Sequence, residues 1–221
     1  MNLIQAIKAR HAVRHFDGEP ISGKEKQELL AFIKQVNKES GLNMQLIVNE
    51  PKAFGGLKAK ICNFTGCVNY LAIIGPNDKN LGEKAGYYGE QVVLKAQQLG
   101  LNSCWVALTF NKVKNAYSIP KGQKLALVVA LGYGTTQGHP HQSKKFKDVV
   151  VNKGKLPRWF INGVKCALLA PTGRNQQGFR IKLESNGKVR IVNKSLCKHV
   201  DLGIVKYHFM VGSKLKKHSA Y

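Results

Sequence analysis

Acidic side chains are scarce in this 221-residue chain: 12 Asp and Glu stand against 35 Lys and Arg, for a formal net charge of +23. A field of that sign draws anions, phosphorylated cofactors and nucleotides among them. Arginine is scarce too. Only Arg10, Arg14, Arg158, Arg174, Arg180 and Arg190 are present, and the remaining basic residues are lysines spread along the chain. A reader of nucleic-acid sequence gathers charge on one face and uses arginine forks on base edges, so the scatter points to a solvated lysine coat and to no specific nucleic-acid partner. No apolar run approaches the roughly 20 residues of a membrane span. The opening Met1-Asn-Leu-Ile-Gln-Ala-Ile-Lys8 lacks a signal-peptide apolar segment, so a soluble cytoplasmic protein without membrane contact is expected. Cysteines number five, an odd set (Cys62, Cys67, Cys104, Cys166 and Cys197) without Cys-x-x-Cys spacing, which argues against a disulfide framework and against a structural zinc site. His139 and His141 have no carboxylate or cysteine at ligand spacing, so no metal is expected. What the chain does have is apolar content: 43% hydrophobic residues suffice for a core and exclude disorder as the main state.

Periodicity divides the chain into helices and short strands. Leu3, Ile4 and Ile7 form a short amphipathic helix that leads into the basic stretch Arg10 to Phe16 and the turn Asp17-Gly18. Leu29, Leu30, Phe32, Ile33 and Val36 recur at helical spacing behind Ser22-x-x-Glu25, an order that fits a capping box. Gln45–Asn49, Tyr70–Gly75 and Leu125–Leu131 are apolar runs bounded by breakers and read as buried strands. Val92, Val93, Ala96 and Leu99 share one helical face, with Gly100 placed for a left-handed C-terminal cap. Ile119-Pro-Lys-Gly122 is a turn. The polar stretch from Thr135 to Lys147 is the plausible linker, and it is followed by a helix from Trp159 to Ala170. Phe179–Leu183 and Lys188–Val192 alternate in polarity and are joined at Asn186-Gly187, a hairpin signal.

Two segments echo each other. Ser40-Gly-Leu-Asn-Met-Gln45 and Thr172-Gly-Arg-Asn-Gln-Gln177 share a hydroxyl-Gly-x-Asn-x-Gln pattern, each after a helix and before a strand. Farther along, Tyr88-Gly89-Glu90 and Asp201-Leu202-Gly203 suggest a glycine-led helix in each half, so the second half would be a shortened copy.

These landmarks together resemble the FMN-dependent nitroreductase family. Arg10-His11-Ala12-Val13-Arg14-His15-Phe16 resembles that family's Arg-[Arg/His]-Ser-x-[Arg/Lys]-x-Phe signature, with Ala12 in place of the usual serine. Ala170-Pro-Thr-Gly-Arg-Asn-Gln-Gln177 resembles its Ala-Pro-Ser-x-x-Asn-x-Gln signature. Leu99-Gly-Leu101, Ile119-Pro-Lys-Gly122 and Leu131-Gly-Tyr133 follow as further landmarks, in the family's order. The Ala-Pro-Ser-like motif departs from that order. It normally follows the arginine motif closely, whereas here it lies beyond residue 170.

The resemblance implies an α+β nitroreductase-like fold with a central mixed sheet flanked by helices and an internal pseudo-two-fold. One chain would imitate the family's homodimer, with residues 1–150 as the first half and 151–221 as a shortened second half. Ordinary members bind flavin at the subunit interface, so a single FMN pocket between the halves is expected, in a monomer able to associate further. Arg10, His11, Ala12 and Arg14 would serve the phosphate, a group of nearly two negative charges that suits guanidinium donors. Lys144 or Lys145 would add a contact, and Val106, Ala107 and Leu108 would run past the ring near N5. Pro171, Thr172, Gly173 and Asn175 would meet the ring's pyrimidine edge. Arg10 and Arg14 read equally as cations compensating a helix C-terminus, and Asn175 as a turn cap. NADH or NADPH would donate hydride and a small-molecule acceptor, nitroaromatic or quinone-like, would receive the electrons. No general acid or base is implied, because the protein's part in such chemistry is to position and tune the two rings.

Overall fold

The computed structural model describes residues 1–215. In chain order the elements are α1 (Leu3–Ala9), α2 (Gly23–Ser40), β1 (Gln45–Ile47), α3 (Leu57–Ile61), β2 (Asn69–Pro76), α4 (Leu81–Gln98), β3 (Asn102–Val106), β4 (Gln123–Gly132), α5 (Phe146–Val149), α6 (Arg158–Ala167), β5 (Phe179–Leu183), β6 (Val189–Asn193) and α7 (Lys198–Ser213), with 3-10 turns at Pro51–Ala53 and Gly173–Asn175. The class is α+β, as expected. The described residues fall into two compact units, both discontinuous in sequence: one comprises residues 1–8, 82–90 and 141–215, the other residues 9–81 and 91–140. The halves expected from the motifs were contiguous stretches.

The unit of residues 9–81 and 91–140 is built on a four-stranded sheet in the order β1-β2-β4-β3. All three ladders are antiparallel, and parallel pairing enters as an isolated bridge between Ala12 and Ser103. The sheet is therefore antiparallel in its ladders where a mixed one was expected. Seven of the eight residues of β2 are buried, which is why Tyr70–Gly75 reads as a continuous apolar run rather than an alternating one. One face of β2, Tyr70, Ala72 and Ile74, packs with Phe16, Phe54, Phe64, Val106, Val128 and Ala130 in a single cluster, and Phe54 and Phe64 meet with ring centroids 4.9 Å apart. Each fully buried large apolar side chain of this cluster contributes roughly 2–3 kcal/mol.

Helix α2 ends as its sequence suggests, on left-handed Gly41 (φ 70°), whose N–H donates to the Asn37 carbonyl at 2.9 Å. Its start departs from expectation. Ser22 occupies the N-cap, but its hydroxyl caps nothing, because Gly23 enters the helix at φ +57° and carries the backbone away from capping geometry. Gly100 (φ 85°) follows α4 in the left-handed region, and Gly122 (φ 81°) completes the turn closed by Gln123 N–H to the Pro120 carbonyl at 3.0 Å.

The other unit is helical at its centre. Phe160 of α6 and Phe209 of α7 are fully buried and meet edge-on at 5.7 Å, and Gly163 lies against the Phe209 ring, where a side chain would collide. Residues 82–90 of α4 cross α7 closely. A Cβ on Gly203 would strike the Glu83 carbonyl oxygen, and one on Gly86 would strike that of Val200. These glycines work in mid-helix, so the helices do not begin at glycine: α4 starts at Leu81 and α7 at Lys198. The β5–β6 hairpin forms as read. Phe179, Ile181, Val189 and Ile191 are buried, Arg180, Lys182, Arg190 and Val192 point outward, and the turn closes on Gly187 (φ 80°) through its N–H to the Glu184 carbonyl at 3.0 Å. Among the described residues no helix is long and apolar enough to cross a membrane.

Candidate functional site

The segment Arg10–Phe16 runs along the outer edge of β3 and is tied down by backbone hydrogen bonds at four of its seven residues. Val13 N–H donates to the Ser103 carbonyl at 3.0 Å, Phe16 N–H to Thr65 at 2.9 Å, Thr65 N–H back to Arg14 at 3.0 Å, and Thr135 N–H to His15 at 2.9 Å. Glycines allow the neighbours to come this close. A Cβ at Gly138 would stand 2.9 Å from the Ala12 carbonyl oxygen, and one at Gly134 would stand 2.7 Å from the Asn102 side chain. The buried Asn102 holds that loop in place, accepting from Gly134 N–H at 2.9 Å and donating to Gln137 at 3.0 Å.

Arg10 is buried, while Ala12 and Arg14 are exposed. Burial raises the pKa of the buried Cys104 thiol, and the charges of Arg14 and Arg10 oppose that rise. The segment thus carries two guanidinium groups, the donor type that suits a phosphate monoester, on backbone pinned to β3 and its neighbours. The His11 ring is committed elsewhere, its Nδ1 3.0 Å from the Gln137 carbonyl. Nearby, Val106 ends β3 inside the core cluster, and the chain then emerges at exposed Ala107 and at Leu108, which is 80% exposed. All five cysteines are free.

In the other unit, Pro171–Gln177 folds into a tight loop after α6. Arg174 (φ 53°), Asn175 (φ 54°) and Gln177 (φ 46°) all sit in the left-handed region, which costs a non-glycine residue roughly 1 kcal/mol or more each and needs outside support. Two buried polar hubs supply it. Asp201 of α7 accepts the Gly173 N–H at 3.1 and 3.2 Å and the Ser195 hydroxyl at 2.5 Å. Burial raises this carboxyl's pKa against those hydrogen bonds, which lower it. Gln177, only 2% exposed, donates from Nε2 to the Gln142 carbonyl at 2.8 Å and to Asn175 Oδ1 at 3.0 Å, accepts Lys144 N–H at 2.8 Å, and sends its own N–H to Thr172 Oγ1 at 3.0 Å. Pro171, Thr172 and Gly173 are half-buried and Asn175 is exposed.

Asn175 therefore spends its amide on the loop, with Nδ2 on the Gln142 carbonyl at 3.0 Å and Oδ1 on Gln177. That is the turn-holding role open to asparagine from the start. Lys144 donates from Nζ to the Gln177 carbonyl at 3.1 Å, and Lys145 stands at the N-cap of α5, where its N–H donates to Asp148 at 3.2 Å. Thus Arg10, Ala12 and Arg14 share one segment of one unit, and Lys144 joins the Thr172–Gln177 loop in the other. Sequence reasoning passed over Asn102, Gln137, Gln177, Ser195 and Asp201. Gln177 was visible as the last position of the Asn-x-Gln pattern, but nothing local marks Asp201 as the partner of a glycine 28 residues earlier.

Comparison with known proteins follows the same lines. Residues 2–213 match the family described as "Putative TM nitroreductase". A solved structure of the same description from Thermotoga maritima is 22% identical, covers 96% of this chain and 83% of its own, and superimposes with a TM-score of 0.68. An FMN-dependent nitroreductase from Clostridium difficile is 16% identical over 68% of this chain and 99% of its own, with a TM-score of 0.52. A nitroreductase family protein from Streptococcus pneumoniae is 15% identical over 69% of this chain and 100% of its own, at 0.54. At such identities these likenesses establish the fold. No curated protein sequence matches the chain.

Proposed function

The chain belongs to the nitroreductase family, a family of oxidoreductases, and from that membership we propose that it is an FMN-dependent NAD(P)H oxidoreductase that reduces nitroaromatic or quinone-type acceptors by ping-pong turnover. The observation that supports the cofactor assignment is the presence of two arginines, Arg10 and Arg14, on one segment held by backbone hydrogen bonds to β3 and its neighbours. Such an arrangement holds a phosphate without paying to order the segment on binding.

In this reading Arg10 and Arg14 neutralise the FMN phosphate, and the Ala12 backbone N–H supports it where the family signature has a serine. In the other unit, Asn175 and Lys144 fix the shape of the Pro171–Gln177 loop around Gln177. Ala107 and Leu108, exposed beyond β3, form an apolar wall that excludes water from the ring and suits flat, apolar acceptors. Bound FMN supplies the capacity to take hydride from a reduced nicotinamide and to pass electrons to an acceptor.

The test is direct. Freshly purified protein should be yellow, should release FMN on denaturation, and should consume NADH or NADPH when menadione is added. A yellow protein that stays idle with both donors would be a flavin-binding module. A colourless protein that remains inactive with added FMN would end the proposal.

A further inference from the structure

A feature that the flavin chemistry does not use lies at the β5–β6 hairpin. Between Phe179 and Lys206 the chain carries seven Lys and Arg (Arg180, Lys182, Lys188, Arg190, Lys194, Lys198 and Lys206) against two acids, Glu184 and the inward-bonded Asp201. With Phe179, Ile181, Val189 and Ile191 buried, alternation leaves Arg180, Lys182, Arg190 and Val192 facing solvent. Lys182 and Arg190 stand directly opposite each other in the ladder. Like charges in that relation destabilise a hairpin, and the chain manages the pair with Glu184, which holds Lys182 Nζ at 2.7 Å and Arg190 Nε at 2.9 Å. The two cations are thus gathered side by side. At the turn end the ribbon opens onto a hollow of about 300 Å³ lined by Glu184, Asn186, Lys188, Arg190 and Lys206. Lys206 is itself positioned by Glu83 at 2.6 Å.

We propose that this outward face and its hollow bind the phosphate backbone of a nucleic-acid strand without regard to base sequence. Charge complementarity selects a polyanion. Spacing favours a nucleic acid, because alternate residues of a strand are about 7 Å apart, comparable with successive phosphates of an extended strand. A membrane surface is disfavoured: the outward positions of the two strands present one apolar residue, Val192, and no aromatic, where interfacial binding wants Trp, Phe or Leu. The missing aromatic also removes base stacking, which leaves backbone contacts alone. This site is separate from the flavin reading and stands whether or not that reading holds.

The experiment is an anisotropy titration of a fluorescein-labelled oligothymidylate of about twenty nucleotides, run from low salt through physiological ionic strength. Against the wild type stand a hairpin variant, R180Q/K182Q/K188Q/R190Q, and a control, K34Q/K38Q/K112Q/K114Q, which removes four charges from exposed positions in the other unit. The hairpin variant should bind at least about tenfold more weakly and lose about 3 from the slope of log affinity against log salt, four contacts at about 0.7 each. The control should change affinity less than about threefold. Equal losses in the two variants would show a uniform field and overturn the proposal, and so would binding to phosphatidylserine vesicles in place of the oligonucleotide. If the quadruple change unfolds the hairpin, the single exposed changes Arg180→Gln and Lys188→Gln decide: each should weaken binding about two- to fourfold, and two silent singles would overturn the site.

Discussion

The segment Arg10–Phe16 and the loop Pro171–Gln177 are held by opposite means. The first is gripped through its backbone: its N–H and C=O groups pair with Ser103, Thr65 and Thr135, and glycines let those neighbours approach. The second has three left-handed residues and relies on side chains, Asp201 and Gln177, to hold it. A backbone-paired edge tolerates changes of side chain, as Ala12 in place of a serine illustrates. A loop held by buried polar hubs does not, because each removed acceptor leaves donors buried without partners.

This contrast is broken most forcefully at Asp201. Asp201→Ala strands the Gly173 N–H and the Ser195 hydroxyl and should cost about 3 kcal/mol of unfolding free energy, read by denaturant titration. A loss below about 1 kcal/mol would show that the loop stands without its hub. A smaller effect comes from pH. Because burial holds the Asp201 carboxyl above the ordinary 3.8, the folded chain binds that proton more tightly than the unfolded chain does. The stabilisation it gives is complete below the unfolded value and is lost as pH rises through the raised folded one. Wild type should therefore lose stability relative to Asp201→Asn across that window, and parallel curves would refute the shift. The smallest effect should appear in the arginine segment. His15→Ala removes only an exposed hydrogen bond to Thr65 Oγ1, 2.9 Å long, and should cost about 0.5 kcal/mol or less. A loss as large as at Asp201 would erase the contrast.

Much of the fold could be read in advance because its elements announce themselves locally. The runs at Tyr70–Gly75 and Leu125–Leu131, the helix ending before Gly41 and the Asn186-Gly187 turn are each decided by nearby residues. β3 was missed as a strand because Asn102 and Ser103 are polar and their burial depends on pairing with Gly132 and Leu131 some 30 residues away. The Ser22 capping box was legible as a pattern and still not made, since Gly23 takes a left-handed φ that no propensity rule assigns. For the candidate site, residue types were legible and roles were less so. Arg10 and Arg14 stand out in one short local motif, whereas the commitment of the Asn175 amide to Gln142 and Gln177 depends on a loop 33 residues upstream.

The central claim is that this chain carries one FMN, with Arg10 and Arg14 holding its phosphate. Stripping the flavin and titrating it back by fluorescence quenching, in wild type and in Arg10→Ala and Arg14→Ala, measures that claim most directly. One FMN per chain is expected, with affinity reduced about tenfold or more by each arginine change, as for loss of a charge-assisted hydrogen bond. No saturable binding, or binding that neither arginine change weakens, would contradict the account.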